Sequence, residues 1–251
     1  MPADLLPGAE PFAASNGPCG VLVLHGLTGT PASVRSLAEC FADAGFSVEA
    51  PLLPGHGTSP EDLEETTFDD WLAAADAAYA GLAARCDLVA VAGLSMGGTL
   101  ALALALAHAD LAGLVLVNPF AKAPVPELVA TLEAGLAGGA RRIPSIGGDV
   151  ARPGPVPVGY DATPVSALLS LFRATAALER RYGEISCPVL LLSSRVDHVV
   201  PTESGDYLVE RLGGPVERVV LERSYHLATV DHDAAEVEAR SVGFVQKLAA
   251  T

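Results

Sequence analysis

The chain has 251 residues, and its 30 acidic against 15 basic side chains give a formal net charge of -15. Such a surface repels phosphate backbones and anionic lipid head groups, which makes nucleic acid a poor partner and leaves most of the acid as a solubilising face. A chain this long can bury a continuous core as one α/β unit, removing about three quarters of its unfolded surface from water, with no disulfide or metal needed to hold it.

At the N-terminus, residues 1–20 have neither a basic stretch nor an apolar run, so no secretory signal is expected. Short Val- and Leu-rich runs then alternate with longer helical segments, the pattern of βαβ units around a parallel sheet. Strands are expected at 21–24, 47–50, 88–92, 114–117, 189–193 and 216–221. Most are apolar throughout, as befits strands covered by helices on both faces. Helices are expected over 32–44, closed by Gly45; from Thr67, with Asp70 completing a capping box, to about 84; and over 202–212 and 234–250. The apolar run 97–117 is long enough to suggest a membrane span, but His108 and Asp110 interrupt it, and a buried helix followed by a buried strand accounts for it better. Cys19, Cys40, Cys86 and Cys187 lack CxxC spacing and neighbouring histidines, so they read as small buried hydrophobes in a reduced, cytoplasmic setting.

One region breaks the alternation. Residues 119–184 offer no strand but two apolar helical stretches, 126–137 and 164–182, around a Gly- and Pro-rich segment at 138–160. An insertion this long is expected to form a small helical cap on a core of 18–118 and 185–251, within a single domain spanning 1–251.

The chemistry centres on Gly93-Leu94-Ser95-Met96-Gly97, a G-x-S-x-G that follows an apolar strand and opens a helix. The turn holds the Ser95 hydroxyl above the sheet, and glycine at 93 and 97 lets neighbouring backbone pass close by. A serine hydroxyl is a weak nucleophile until an imidazole takes its proton, and the imidazole needs a carboxylate to orient it. Asp197 and His226 both follow expected strand ends and stand in the order Ser, Asp, His, so they are the candidate acid and base. The preceding strand ends in Asn118, which supplies no carboxylate. His232 is the rival base but lies further from its strand end, and His198 is too near Asp197 in the chain to be oriented by it. Two backbone N–H groups should form an oxyanion hole: Met96, after the nucleophile, and Leu27, in His25-Gly26-Leu27-Thr28-Gly29. His25 and His56 are expected to shape loops, and His108 to end a helix.

The motifs HGLTGTP at 25–31, PGHG at 54–57 and GLSMGG at 93–98, with the Asp197 and His226 loops, resemble bacterial carboxylesterases of the monoacylglycerol-lipase-like group. The resemblance implies an α/β-hydrolase fold, a mostly parallel sheet with helices on both faces and a small helical cap between the sixth and seventh core strands. It implies a cofactor-independent hydrolase of small-molecule esters with short to medium acyl chains; from the residues themselves neither a metal site nor stable membrane insertion is expected. Ser95 would be its nucleophile, Asp197 its acid, His226 its base, and Leu27 and Met96 its oxyanion donors. Tyr225 departs from the glycine usual before the histidine. Leu128, Leu132, Leu168, Leu171 and Phe172 of the insertion, with Tyr225, are candidates for the acyl pocket. Haloperoxidase-like perhydrolysis, thioester hydrolysis and a non-enzymatic ligand receptor are the alternative readings.

Overall fold

The computed structural model describes residues 4–145, 148–154 and 156–250; residues 1–3, 146–147, 155 and 251, which several of the expected ranges include, lie outside them. The core is a sheet of seven strands in the order β1-β3-β2-β4-β5-β8-β9. These are β1 (Phe12–Ala14), β2 (Cys19–Leu24), β3 (Ser47–Ala50), β4 (Leu88–Leu94), β5 (Gly113–Val117), β8 (Val189–Ser194) and β9 (Val216–Leu221). Only the outermost strand, β1, runs antiparallel. It is three half-exposed residues with no periodic signal, which is why the sequence gives no sign of it.

The helices are α1 (Arg35–Asp43), α2 (Pro60–Glu64), α3 (Phe68–Ala83), α4 (Met96–Ala107), α5 (Pro126–Ala137), α6 (Val165–Leu178), α7 (Glu203–Val209) and α8 (Ala234–Ala249). The Thr67 N–H donates to Asp70 Oδ2 at 2.9 Å, starting α3 where the capping residues indicate.

Why the strands are apolar on both faces is visible in the packing. Leu22, Leu24, Val91, Leu114, Leu116 and Leu191 join one core with Trp71 of α3 and Leu100 and Leu104 of α4. The intervening Val21, Val23, Ala92, Val115, Val117 and Leu190 join another with Leu37 and Phe41 of α1 and Val237 and Val245 of α8. Successive side chains leave a strand on opposite sides, so a sheet covered twice has no polar face. Helix α4 lies inside, its residues from Met96 to Leu104 all buried. Among the described residues no helix is long and apolar enough to cross a membrane.

The insertion falls between β5 and β8 and holds α5, α6 and a two-stranded antiparallel ribbon of β6 (Arg142–Pro144) with β7 (Ala162–Pro164). Two expectations need correction. The insertion is not purely helical, because β6 and β7 are short pieces too rich in proline and arginine to stand out as strands. It also follows the fifth strand of the main sheet rather than the sixth, because only β1 precedes β2.

Strand order reverses at β2. The chain passes from β2 outward to β3, then returns to lay β4 on the other side of β2. The crevice beyond the carboxyl ends of β2 and β4 is therefore where a sheet of this kind holds its ligands.

Candidate active site

Ser95 joins β4 to α4 at that crevice with φ 56 and ψ -118, a conformation rare for a residue with a side chain. Tight packing imposes it. A Cβ on Gly93 would lie 2.2 Å from Gly97 O, and one on Gly97 would lie 2.2 Å from Leu24 O at the end of β2. The Ser95 N–H donates to Val117 O at 3.0 Å, and Ser95 O accepts from the N–H groups of Gly98 and Phe120. The turn is thus pinned on both sides by main chain.

The loop after β2 runs against this turn. A Cβ on Gly26 would come within 3.3 Å of Ser95 Cβ, so the residue before Leu27 is in contact distance of the nucleophile turn. His25, fully buried, donates from Nδ1 to Gly26 O at 2.9 Å and accepts the Leu53 N–H on Nε2 at 3.2 Å. His56 donates from Nδ1 to Pro54 O at 3.0 Å, and its ring meets that of His25 edge-on, centroids 4.9 Å apart. Burial lowers the pKa of His25 to about 4 and that of His56, which also faces His25, to about 3. Both stay neutral near pH 7 and shape loops, as the sequence suggests. Met96 opens the first turn of α4, where backbone N–H groups lack helical partners, and Leu27 follows Gly26, the residue that lies against the nucleophile turn.

On the far side, Asp197 follows β8 and His226 follows β9. Their side chains are buried, and His226 Nδ1 lies 2.8 Å from Asp197 Oδ2. Asp197 Oδ1 accepts the N–H groups of Val199 and Val200, each at 2.8 Å, which fixes the carboxylate plane. With Nδ1–H committed to Asp197, Nε2 is left as the ring's acceptor. Among the described residues no hydrogen bond joins Ser95 Oγ to Nε2.

Asn118 links the two halves, a role that its lack of a carboxylate does not suggest from sequence. It directly follows β5 with φ 42 and is buried. Its Nδ2 donates to His226 O at 2.8 Å and to Ser194 Oγ at 2.9 Å, while its Oδ1 accepts the Ser194 N–H at 2.7 Å. Asparagine tolerates this left-handed backbone better than other branched or bulky residues, and an Asn at the end of a central strand was the available signal.

His232 is exposed, and its N–H bonds the Asp231 carboxylate. His198 pairs with Asp149 rather than with Asp197. His108 caps the end of α4 against Asp76. Of the pocket candidates, Phe172 is buried and stacks on Phe120 at 5.3 Å, and the Phe120 N–H is one of those that donate to Ser95 O. Leu171 belongs to the core beneath; Leu132 and Leu168 are half-buried; Leu128 is exposed. The Tyr225 ring packs edge-on against His198. Among the described residues no cluster of His, Cys, Asp or Glu is arranged to hold a metal ion.

A model of the alpha/beta hydrolase family matches residues 21–240. The chain is 43% identical over 247 residues to the thermostable monoacylglycerol lipase of Bacillus sp. (strain H-257), covering 97% of this chain and 96% of that one. It is 27% identical over 246 residues to a carboxylesterase of Bacillus subtilis (strain 168), covering 95% and 97%. A solved structure from a pair of metagenome-derived lipolytic enzymes superposes with a TM-score of 0.92 at 39% identity, covering 97% of this chain and 100% of that one. The monoacylglycerol lipase of Paleococcus ferrophilus shares the fold, with a TM-score of 0.78 at 22% identity, covering 95% and 99%.

Proposed function

The chain belongs to the alpha/beta hydrolase family, and from that premise we propose that it is a serine carboxylesterase working through an acyl-enzyme on Ser95, with esters of short to medium acyl chains, monoacylglycerols among them, as substrates. The observation that carries the mechanism is the buried 2.8 Å contact between His226 Nδ1 and Asp197 Oδ2, which leaves Nε2 free to take a proton.

In the first step Ser95 Oγ attacks the ester carbonyl carbon while its proton passes to His226 Nε2. The negative oxygen that develops is held by the N–H groups of Leu27 and Met96, preorganised donors that gain strength as the charge forms. Asp197 stabilises the imidazolium and does not itself take the proton. The carbon–oxygen bond to the alcohol then breaks, and His226 returns the proton to the leaving alkoxide. Water, deprotonated by His226, attacks the acyl-enzyme and releases the acid. No cofactor enters. We place the acyl chain under the insertion, read as a cap, with Phe120 and Phe172 on its wall. Four free cysteines suit a cytoplasmic setting.

Initial rates on p-nitrophenyl esters of increasing acyl length test this. Wild type should turn over a subset of lengths, and Ser95→Ala should lose about 10⁴-fold or more in kcat. Equal rates for the two proteins would sink the acyl-enzyme. Silence of wild type on every length would move thioester hydrolysis or perhydrolysis ahead.

A further inference from the structure

We infer that Asp149, carried by the insertion, is a positioning residue for His226, so that part of the insertion is a component of the catalytic apparatus rather than a cover over it. This rests on His226 being the base, as proposed above.

Asp149 Oδ2 accepts the His226 N–H at 3.1 Å and the His198 N–H at 3.2 Å. Its Oδ1 lies 2.8 Å from His198 Nδ1, and its main-chain O accepts the Leu227 N–H at 3.0 Å. A single residue thereby ties the loop after β8, one position beyond Asp197, to the loop after β9 that carries His226. The Asp149 side chain is only 11% exposed and its bond to the His226 N–H is partly buried, whereas its bonds to His198 lie at the surface.

The tie is reciprocated from the core. Asp231 accepts the N–H groups of Ala151 at 2.7 Å and Arg152 at 2.9 Å from the insertion, and with the same carboxylate those of Tyr225 at 2.9 Å and His232 at 2.7 Å. His226 is consequently held at both ends of its own backbone, the N–H by Asp149 and the C=O by Asn118. Further along the insertion, Tyr160 N–H donates to Thr28 O, and Thr30 Oγ1 donates to Val158 O. The segment that positions the base also braces the loop bearing Leu27.

Three substitutions separate geometry from charge. Asp149→Asn keeps one oxygen for the two backbone N–H groups and can present its amide to His198, at the loss of the charge. Asp149→Glu keeps the charge and displaces the oxygens by a methylene. Asp149→Ala removes both. With turnover normalised to sites titrated by a fluorophosphonate, so that unfolded molecules do not count, kcat should fall about 30-fold in Ala and about 10-fold in Glu with KM within twofold, and Asn should stay within about threefold of wild type. Wild-type kcat in both Ala and Glu, or a loss carried by KM alone, would overturn the inference. So would Asn failing while Glu is spared, because charge rather than placement would then be at work. Ser95→Ala, run beside them and scored per total folded protein, separates the outcomes: if it retains turnover, the underlying esterase reading has failed instead.

Discussion

The two sides of the candidate site are built by different physics. On the nucleophile side, sterics do the work: Gly93, Gly97 and the end of β2 are packed so closely that the chain has room only for the strained turn at Ser95. On the base side, hydrogen bonds do it: His226 is held by residues 77 and 108 positions away in the chain, Asp149 and Asn118, through one partly buried and one buried polar contact. A steric device fails abruptly when one atom is added. A hydrogen-bonded one fails by degrees, because each bond contributes on the order of 1 kcal/mol net while each orphaned buried partner costs more.

The largest effect should therefore come from a single methyl group on the steric side. In Gly97→Ala the new Cβ meets Leu24 O at 2.2 Å and His25 O at 2.9 Å, both main chain at the centre of the molecule, where no side chain can swing aside. We expect a loss of about 4 kcal/mol or more, measured as the urea midpoint, or no folded protein at all. A variant with a wild-type midpoint would show that the turn is looser than its packing implies.

The base side should give a smaller, graded response. Asn118→Ala strips the partners from His226 O and the Ser194 N–H in a buried position and leaves alanine at φ 42. About 2–4 kcal/mol of stability should go, and kcat should fall about 10- to 100-fold with little change in KM, because the base is displaced and the pocket is not. Asn118→Gly relieves the backbone strain without restoring the bonds, so it should recover about 1 kcal/mol of stability and none of the kcat. If glycine recovers turnover as well, strain and not the lost bonds was responsible.

This division also explains what was legible in the sequence. The nucleophile turn is written in five consecutive residues between an apolar strand and an apolar helix, and the strands of the doubly covered sheet announce themselves as unbroken Val and Leu runs. Asp197 and His226 follow from chain order and strand ends. Asp149 and Asp231 leave no such trace, since their partners lie in other loops and their neighbours are ordinary turn residues, and Ser194 reads only as the polar end of the apolar strand β8. The ribbon of β6 and β7 was equally hidden: its three-residue strands pair only because the insertion folds back on the core. Asn118 sits between these cases. It was weighed as a source of a carboxylate and dismissed, when its value is as a donor.

The gentlest test falls on the loop that carries Leu27. His25 and His56 are buried and neutral, with pKa values lowered to about 4 and about 3 from 6.5, first by burial and, for His56, also by the adjacent His25. In the unfolded chain both rings take a proton near 6.5. Below that pH the unfolded state binds more protons than the folded one, so their contribution is intact above 6.5 and is lost as pH falls toward 4. The slope approaches about 1.4 kcal/mol per pH unit for each proton of difference. His56→Phe keeps an aromatic ring beside Trp71 and gives up the bond to Pro54 O, so it should cost about 1 kcal/mol at pH 8 and then lose stability less steeply on acidification. Urea midpoints from pH 8 to 4.5 decide it: parallel curves for the two proteins would mean that His56 does not sense pH and that the acid sensitivity of this side lies elsewhere.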